Sequence, residues 1–122
     1  MTQKDKNLLL KDLCARLPYG VKVNYKGLIR PLFSVSPTQH YKITLDNAID
    51  GEHNGLEFVC LDDEIKPYLR PMSSMTEEEV EEEDNTVMMF LQDFYNSHHL
   101  DYRGLIEKGL ALKAPEGMYK TE

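Results

Sequence analysis

Four segments in the first half of the chain alternate apolar and polar residues, and this pattern restricts the fold more than any other feature. They are VKVNY, LIRPLFSVS, HYKITLD and LEFVCL. In the first segment Val21, Val23 and Tyr25 alternate with Lys22 and Asn24, which is the period of a strand with one buried face. Short loops join the segments, so we predict a three- to four-stranded antiparallel sheet connected as a meander.

The second of these segments contains a proline that limits how the strand can pair. The dipeptide KG precedes it and suits a tight turn. Ile29, Phe33 and Val35 lie on one side of the alternation. Because Pro31 has no backbone N–H, the strand is predicted to lie at an edge of the sheet or to bulge at this point.

Residues 4–17 have the pattern of an amphipathic helix that lies on the sheet. Apolar residues recur at spacings of three, four and seven, namely Leu9, Leu10, Leu13, Cys14 and Leu17. The polar residues predicted to lie largely on the opposite, solvent-facing side are Lys6, Lys11, Asp12 and Arg16. Pro18 and Gly20 then end the helix.

Residues 62–72, DDEIKPYLRPM, are predicted to form an ordered crossing segment and not a flexible linker. Pro67 and Pro71 each favour an extended residue before them. The segment also has four apolar anchors, which are Ile65, Tyr68, Leu69 and Met72.

A helix is predicted to begin with the acidic run EEEVEEED, residues 77–84. Thr76 and Glu79 have the spacing of a capping box, and acidic residues suit the positive end of a helix dipole. We expect a break or bend near Asp84 and Asn85. The apolar stripe of this helix is Val80, Val87, Phe90, Leu91 and Phe94.

A second, short helix, YRGLIEK, is predicted to follow, with Asp101 as its N-cap and Gly109 closing it in the left-handed conformation. The two helices would form a C-terminal helical pair packed on one face of the sheet. Residues 113–122 have no strong pattern. The predicted fold is therefore a single α+β domain over residues 1–122, with an acidic helix start at residues 76–84.

Acidic residues are concentrated in one stretch. The chain has 21 acidic and 14 basic residues, and seven of the acids lie between residues 77 and 84, so the remainder is formally neutral. No cluster of Lys and Arg stands out, which argues against nucleic-acid binding through a basic face. There is no apolar run long enough to span a membrane and no signal-peptide pattern, so we expect a cytoplasmic protein. Cys14 and Cys60 are predicted to be buried thiols and not a disulfide.

Two adjacent histidines, His98 and His99, precede Asp101 and suggest a metal site. Adjacent side chains on a helix point about 100° apart, so they rarely bind one ion. His40 and His53 lie in the predicted sheet region and would join them only by chance. The preferred interpretation is that the pair ends the helix, where an imidazolium complements the negative end of the dipole.

Two surface patches are candidates for binding a partner protein. The acidic run would present negative charge to a basic partner, or would mimic the phosphates of a nucleic acid. After it, an arginine beside an aspartate can orient a phosphate or carboxylate, although capping and packing explain the same residues. The candidate residues are Glu77, Glu78, Glu79, Glu81, Glu82, Glu83, Asp84, Asp101, Tyr102 and Arg103.

The stretch VMMFL, residues 87–91, is apolar on almost every side of the predicted helix. Either this part of the helix is deeply buried, or it meets a second subunit. Methionine adapts well to such contacts. A homodimer is therefore a further prediction.

Two phrases, KPYLRPMSSMTEEE and DYRGLIEKGLA, resemble small uncharacterised proteins associated with prophages and other mobile elements of gut bacteria. The resemblance covers residues 66–112 and, loosely, the phrase LPYGVKV. It implies a cytoplasmic bacterial or phage accessory protein that binds a partner. It implies no catalytic residue.

The sequence contains no phosphate-binding glycine loop, CxxC, HExxH or nucleophile elbow. We therefore predict a small non-enzymatic interaction or regulatory protein of phage or mobile-element origin, which acts by protein–protein binding and needs no cofactor. One alternative is a metal-dependent hydrolase that uses His98, His99 and Asp101. A second alternative is a nucleic-acid-binding or nucleic-acid-mimicking module.

Overall fold

The computed structural model describes residues 2–36, 42–46, 56–61 and 65–119, and it has an α+β architecture as predicted. In chain order its elements are α1 (Gln3–Arg16), β1 (Lys22–Tyr25), β2 (Leu28–Val35), β3 (Lys42–Asp46), β4 (Leu56–Cys60), β5 (Ile65–Leu69), α2 (Glu77–Asp84), α3 (Leu91–Ser97) and β6 (Leu112–Lys113). No helix within these ranges is long and apolar enough to cross a membrane. His40 and His53 lie outside the described residues.

The strands of the described ranges form a sheet of six, in the order β4-β3-β2-β1-β5-β6, where three or four were predicted. The first four strands are antiparallel neighbours, which confirms the meander. The predicted crossing segment contains β5, which pairs antiparallel with β1, and β6 pairs parallel with β5. Pro67 lies opposite Val23 of β1, and β6 pairs only with Tyr68 and Leu69. On the β6 side, therefore, no described strand pairs with Pro67 or needs the backbone N–H that proline lacks.

Pro31 disturbs its strand by a bulge and not by placing it at an edge. β2 lies between β1 and β3, and its register with β3 shifts between Leu32 and Ser34. Ile29 and Phe33 are 53% and 54% exposed, whereas Leu32 is buried and Val35 packs against the core. The prediction that Ile29, Phe33 and Val35 lie on one side was therefore wrong, because the shift in register after Leu32 brings Val35 to the inward face. The predicted edge position was therefore wrong, and the bulge is confirmed.

Local turn and strand patterns elsewhere in the sheet are confirmed. The β1–β2 hairpin turns at Lys26 and Gly27, whose φ angles of 52° and 81° match a type I′ turn. The Gly27 N–H also donates to the side chain of Asn24 at 3.3 Å. On β3, Ile43 and Leu45 are fully buried, as the alternation predicts.

Helix α1 begins with a capping box and packs its leucines on the sheet. The Asp5 N–H donates to Thr2 Oγ1 at 3.0 Å, and the Thr2 N–H donates to the Asp5 carboxylate at 3.3 Å. Leu9, Leu10 and Leu13 are buried in the same core cluster as strand residues. Those strand residues include Val23, Tyr25, Leu32, Ile43, Leu45, Val59, Ile65 and Leu69.

Two charged residues of α1 that were predicted to face solvent are fully buried. The side chains of Asp12 and Arg16 are both 0% exposed, and Arg16 Nε donates to Asp12 Oδ2 at 2.8 Å. Arg16 Nη2 donates to the Leu100 carbonyl oxygen at 2.6 Å, and Arg103 Nε donates to Asp12 Oδ1 at 3.1 Å. Asp12 and Arg16 lie four residues apart on one face of the helix. This charged pair can be buried because Leu100 and Arg103, which are distant in sequence, supply further hydrogen bonds to it.

The C-terminal half contains α2 and α3, separated at residues 85–90, which confirms the predicted break near Asp84 and Asn85. The short helix predicted after Asp101 is absent, and residues 101–109 form successive turns. Gly104 has a φ of +73°, whereas a residue inside an α-helix needs a φ near −63°. A helix therefore cannot run through this position.

The predicted left-handed cap at Gly109 is nevertheless present, with a φ of +76°. The Gly109 N–H donates to the Ile106 carbonyl at 3.1 Å, and the Leu110 N–H donates to the Leu105 carbonyl at 2.9 Å. These two bonds have the pattern of a Schellman motif. The local signal at Gly109 was right, although turns replace the helix that it was expected to close.

Asp12→Asn is expected to lower the free energy of unfolding by about 3 kcal/mol, because Arg16 would keep a buried charge without a counter-ion. Urea unfolding at pH 7 measures the change. Lys11→Gln, at an exposed position of the same helix, is the matched control and should alter stability by less than about 0.5 kcal/mol. Equal stability of the two variants would contradict a structural role for the pair.

Candidate functional site

The two adjacent histidines end α3 through a backbone cap. The His99 N–H donates to the Asn96 carbonyl at 3.1 Å, and the Leu100 N–H donates to the Tyr95 carbonyl at 2.9 Å. This is again the bonding pattern of a Schellman motif, with His99 in the left-handed position at a φ of +59°. Glycine usually occupies that position, and histidine enters it more readily than most other residues.

His99 is buried and uncharged, which differs from the predicted imidazolium at the helix end. Its ring stacks on Tyr119 with 3.7 Å between centroids. Burial is the main cause that lowers the pKa of His99 from 6.5 to about 4. Smaller contributions come, in decreasing order, from the positive charges of Arg16, Arg70, His98 and Lys22. The Nδ1 atom of His99 is shielded from solvent and has no hydrogen-bond partner among the residues that the structure describes.

Tyr119 lies in the C-terminal segment that has no strong sequence pattern, and its side chain attaches this segment to β1 and β5. Its hydroxyl donates to the Tyr68 carbonyl at 2.7 Å and accepts from the Lys22 N–H at 2.9 Å. Burial raises the pKa of Tyr119 to about 12. The hydroxyl therefore bridges β1 and β5 next to their paired residues, and the ring covers one face of His99.

Arg70, Glu79 and His98 connect the end of β5 with α2 and α3, and we call these three residues the clasp. Arg70 binds Glu79 through two hydrogen bonds, Nη1 to Oε2 at 2.8 Å and Nη2 to Oε1 at 2.7 Å. His98 Nδ1 lies 3.0 Å from Glu79 Oε2. The capping box predicted for Thr76 is also present, since the Thr76 N–H donates to Glu79 Oε1 at 2.9 Å. The Arg70 hydrogen bonds are the main cause that lowers the pKa of Glu79 to about 2.

The three residues predicted as a possible metal site have different partners. His98 faces Glu79 and Glu82, and His99 stacks on Tyr119. The carboxylate of Asp101 accepts the N–H groups of Leu105 and Ile106 at 2.8 and 2.9 Å. Within the described ranges no three His, Cys, Asp or Glu side chains are grouped to hold a metal ion.

The second predicted partner patch is packed against α1. Tyr102 stacks on Tyr95 with 5.3 Å between centroids, and the Arg103 guanidinium lies 4.8 Å from the Tyr102 ring centre. Arg103 also donates to the buried carboxylate of Asp12. Asp101 is buried, while Tyr102 and Arg103 are half-buried. These contacts leave only parts of Tyr102 and Arg103 at the surface.

The acidic run forms α2, and its carboxylates fall into two groups. Glu79 binds Arg70, and Glu83 accepts the Tyr95 hydroxyl at 2.6 Å. These two residues hold the helix against the rest of the domain. The remaining acids are exposed, namely Glu77, Glu78, Glu81, Glu82 and Asp84.

The apolar residues that follow α2 are exposed, so the prediction that they are deeply buried was wrong, while the alternative that they meet a second subunit stays a prediction. Met88 and Met89 are 85% and 78% exposed, and Val87 and Phe90 are more than half exposed. Of the predicted stripe, only Phe94 is buried. The helix is interrupted at residues 85–90, so these side chains no longer share a face with Phe94. We call residues 87–90 the apolar segment.

A cleft of about 900 Å³ lies beside the clasp, between the end of α3 and the turn after β6. The polar and aromatic residues on its walls include Arg70, His98, His99, Lys113, Glu116 and Tyr119. Sequence patterns identified the two histidines but not the others. Arg70 stands in a segment interpreted as a connection, and no periodic signal marks Lys113 or Tyr119.

Both cysteines are free thiols, as predicted, but they are exposed and not buried. Cys14 follows the buried Leu13 on α1, and a step of one residue turns a helix by about 100° away from the core. Cys60 lies between the buried Val59 and Leu61, so its side chain points to the other face of the strand.

No protein-family model, curated protein or solved structure matches this chain.

Glu79→Gln is expected to destabilise the fold at pH 7 by about 2 kcal/mol, because it weakens the charged hydrogen bonds to Arg70 and His98. Thermal or urea unfolding measures the loss. The wild-type advantage is present above pH 4.5 and decreases as pH falls from there toward 2, since protonation of Glu79 removes the same charge. Glu78→Gln, at the exposed neighbouring position, should have little effect. A pH-independent difference would contradict the clasp.

The buried neutral state of His99 predicts a second pH effect. Between pH 6.5 and about 4 the unfolded chain binds a proton at this residue and the folded chain does not. Stability should therefore fall as pH decreases through this window, with a limiting slope of about 1.4 kcal/mol per pH unit. Urea unfolding of the wild type and of His99→Asn at several pH values measures this effect. The contribution of His99 is the difference between the two slopes of stability against pH. An NMR titration of the imidazole with a midpoint near 6.5 would contradict it.

Proposed function

We propose that this protein acts by binding another protein, through a surface formed by α2 and the apolar segment. The observation that carries the proposal is the exposure of Met88 and Met89 at 85% and 78%, next in the chain to an acidic helix. Large apolar side chains that stand together on a surface mark an interaction site more often than isolated ones do. The partner is a protein with apolar side chains to cover this segment and basic side chains to face α2.

The charge of the surface supports a basic partner. Five carboxylates of α2 are exposed, and no Lys or Arg lies between residues 71 and 102 of the sequence. Such a surface accelerates association with a positively charged protein and repels a negatively charged one. Contact between two copies through this surface alone would bring two acidic helices together, so a different protein is favoured as the occupant.

The way α2 is held supports binding without large rearrangement. Glu79 and Glu83 attach the helix to Arg70 and Tyr95, while the other acidic side chains point to solvent. Thr86 Oγ1 donates to the Glu82 carbonyl at 2.7 Å, which ties the start of the apolar segment to the helix. A surface that is already ordered loses less conformational entropy when a partner binds.

The resemblance to mobile-element proteins supports an accessory role for such a binding surface. The hydrolase alternative lacks an observation in its favour within the described part of the chain, where Asp101 and the two histidines have separate partners. The nucleic-acid-mimicking alternative would use the same exposed carboxylates but leaves the adjacent methionines without a role.

The test is affinity capture of partners from a bacterial lysate with wild-type protein and two sets of variants. Met88→Ser with Met89→Ser removes the apolar contact, and Glu77→Gln with Glu78→Gln removes charge. Recovery of the same basic protein should fall about tenfold or more in both sets, as for residues near the centre of an interface. Recovery should also fall as salt is raised.

Matched controls distinguish binding at this surface from nonspecific binding elsewhere on the protein. Leu28→Ser changes another exposed apolar residue, on β2, and Glu107→Gln with Glu116→Gln removes two other exposed charges. These variants should leave recovery unchanged. Loss of the partner in the controls, or its full recovery in both test sets, contradicts the proposal. Concentration-dependent dimerisation that Met88→Ser with Met89→Ser abolishes would instead identify a second copy as the occupant.

A further inference from the structure

The cleft beside the clasp has features of a ligand site that the protein-binding surface does not use. His99 lines the cleft, yet it is buried at 7% exposure and its Nδ1 has no hydrogen-bond partner in the described part of the chain. A buried polar atom without a partner is unfavourable, because it has lost its hydrogen bonds to water and gained none from the protein. The same residue also adopts a left-handed φ of +59°, which is sparsely populated for residues other than glycine.

Two unfavourable features thus meet at one residue on the wall of a cleft. Strained or unsatisfied residues of this kind concentrate where a protein binds a ligand. A glycine or asparagine would cap α3 with less strain and without an imidazole to bury. The placement of His99 is therefore better explained by a role in the cleft than by the helix cap.

The tautomer of His99 follows from its surroundings. A neutral imidazole has one N–H donor and one acceptor nitrogen. A proton on the shielded Nδ1 would leave a buried donor unpaired, so the proton belongs on Nε2. Nε2 makes no hydrogen bond within the described residues and is not among the shielded atoms. It is the atom of His99 that can donate to a ligand.

The walls of the cleft carry two cationic side chains, Arg70 and Lys113, and two acidic ones, Glu79 and Glu116. The charges that act on the ring are those of Arg16, Arg70, His98 and Lys22. Lys113 lines the cleft, and its ammonium has no ion-pair partner among the described residues. Glu79 is already bound by two hydrogen bonds from Arg70, which leaves Glu116 as the uncompensated acid on the walls.

We propose that this cleft binds a small oxyanion, a carboxylate or a phosphate group, between the Lys113 ammonium and the His99 Nε2–H. Lys113 supplies the charge, and His99 supplies a hydrogen bond from a neutral ring. Arg70 orders the wall by holding Glu79 and the His98 carbonyl, and it does not contact the ligand because its N–H groups are already engaged. Glu116 is exposed at the cleft, and its negative charge weakens the binding of an anion.

The test uses inorganic phosphate and acetate as separate probes at low ionic strength, with the intact chain. Binding is followed by NMR chemical shifts of the backbone amides of residues 97–99 and 113–117. Saturable shifts with phosphate alone assign a phosphate ligand, and shifts with acetate alone assign a carboxylate. Absence of saturable shifts with both probes overturns the proposal.

Charge variants in the cleft give the sharper comparison. Lys113→Gln should weaken binding about tenfold, the change expected for loss of one charged hydrogen bond, and Glu116→Gln should tighten it. Lys108→Gln, which removes an exposed charge outside the cleft, is the matched control and should leave affinity unchanged. An equal loss in Lys108→Gln and Lys113→Gln shows general charge screening and overturns the site.

His99→Asn tests the hydrogen bond while keeping a residue that accepts the left-handed cap. It should weaken binding with the fold intact, as judged from an unchanged backbone spectrum elsewhere. Unchanged affinity in this variant overturns the role of His99. Met88→Ser with Met89→Ser should leave oxyanion binding unaffected, so the outcome here is independent of the protein-binding surface.

Discussion

The buried ion pair between Asp12 and Arg16 is the interaction on which the arrangement of the C-terminal half depends. Charges without water must be compensated by the protein, and α1 cannot do this alone. Leu100 supplies a carbonyl to Arg16, and Arg103 supplies a guanidinium to Asp12. These partners lie 84 and 91 residues away in sequence. The need to satisfy two charges therefore fixes the end of α3 and the following loop against α1.

The position of the cleft follows from this attachment. Once Leu100 is held by Arg16, the preceding His99 lies where the tail can stack Tyr119 on it. The backbone of Arg70 pairs there as well, donating to the His99 carbonyl at 2.7 Å. Its side chain reaches Glu79 on α2. The cleft and the acidic surface are thus positioned by one connected set of polar contacts at the sheet edge, although they present different chemistry to solvent.

Rules that depend on neighbouring residues predicted much of the fold. The strand assignments of β1 to β4, the capping box at Thr76, the break near Asn85 and the left-handed Gly109 all agree with the structure. The errors concern positions whose conformation or burial depends on residues that are distant in sequence. β5 contains Pro67 and looks like a connection until Val23 is placed opposite it. The turns at residues 101–109 follow from the backbone conformation of one glycine, which sequence does not specify.

The sequence by itself determined the α+β class, the antiparallel meander and the concentration of acidic charge, because these follow from periodicity and composition. It also located the histidine pair at a helix end. Only the tertiary structure decided which charges are buried and which apolar residues are exposed, since both depend on what packs against them. Asp12 was predicted to face solvent and is buried, and Met88, predicted to lie either in the interior or at a subunit contact, is exposed in the chain. The candidate sites arise from this second kind of information, because a ligand or partner meets surfaces that distant segments build together.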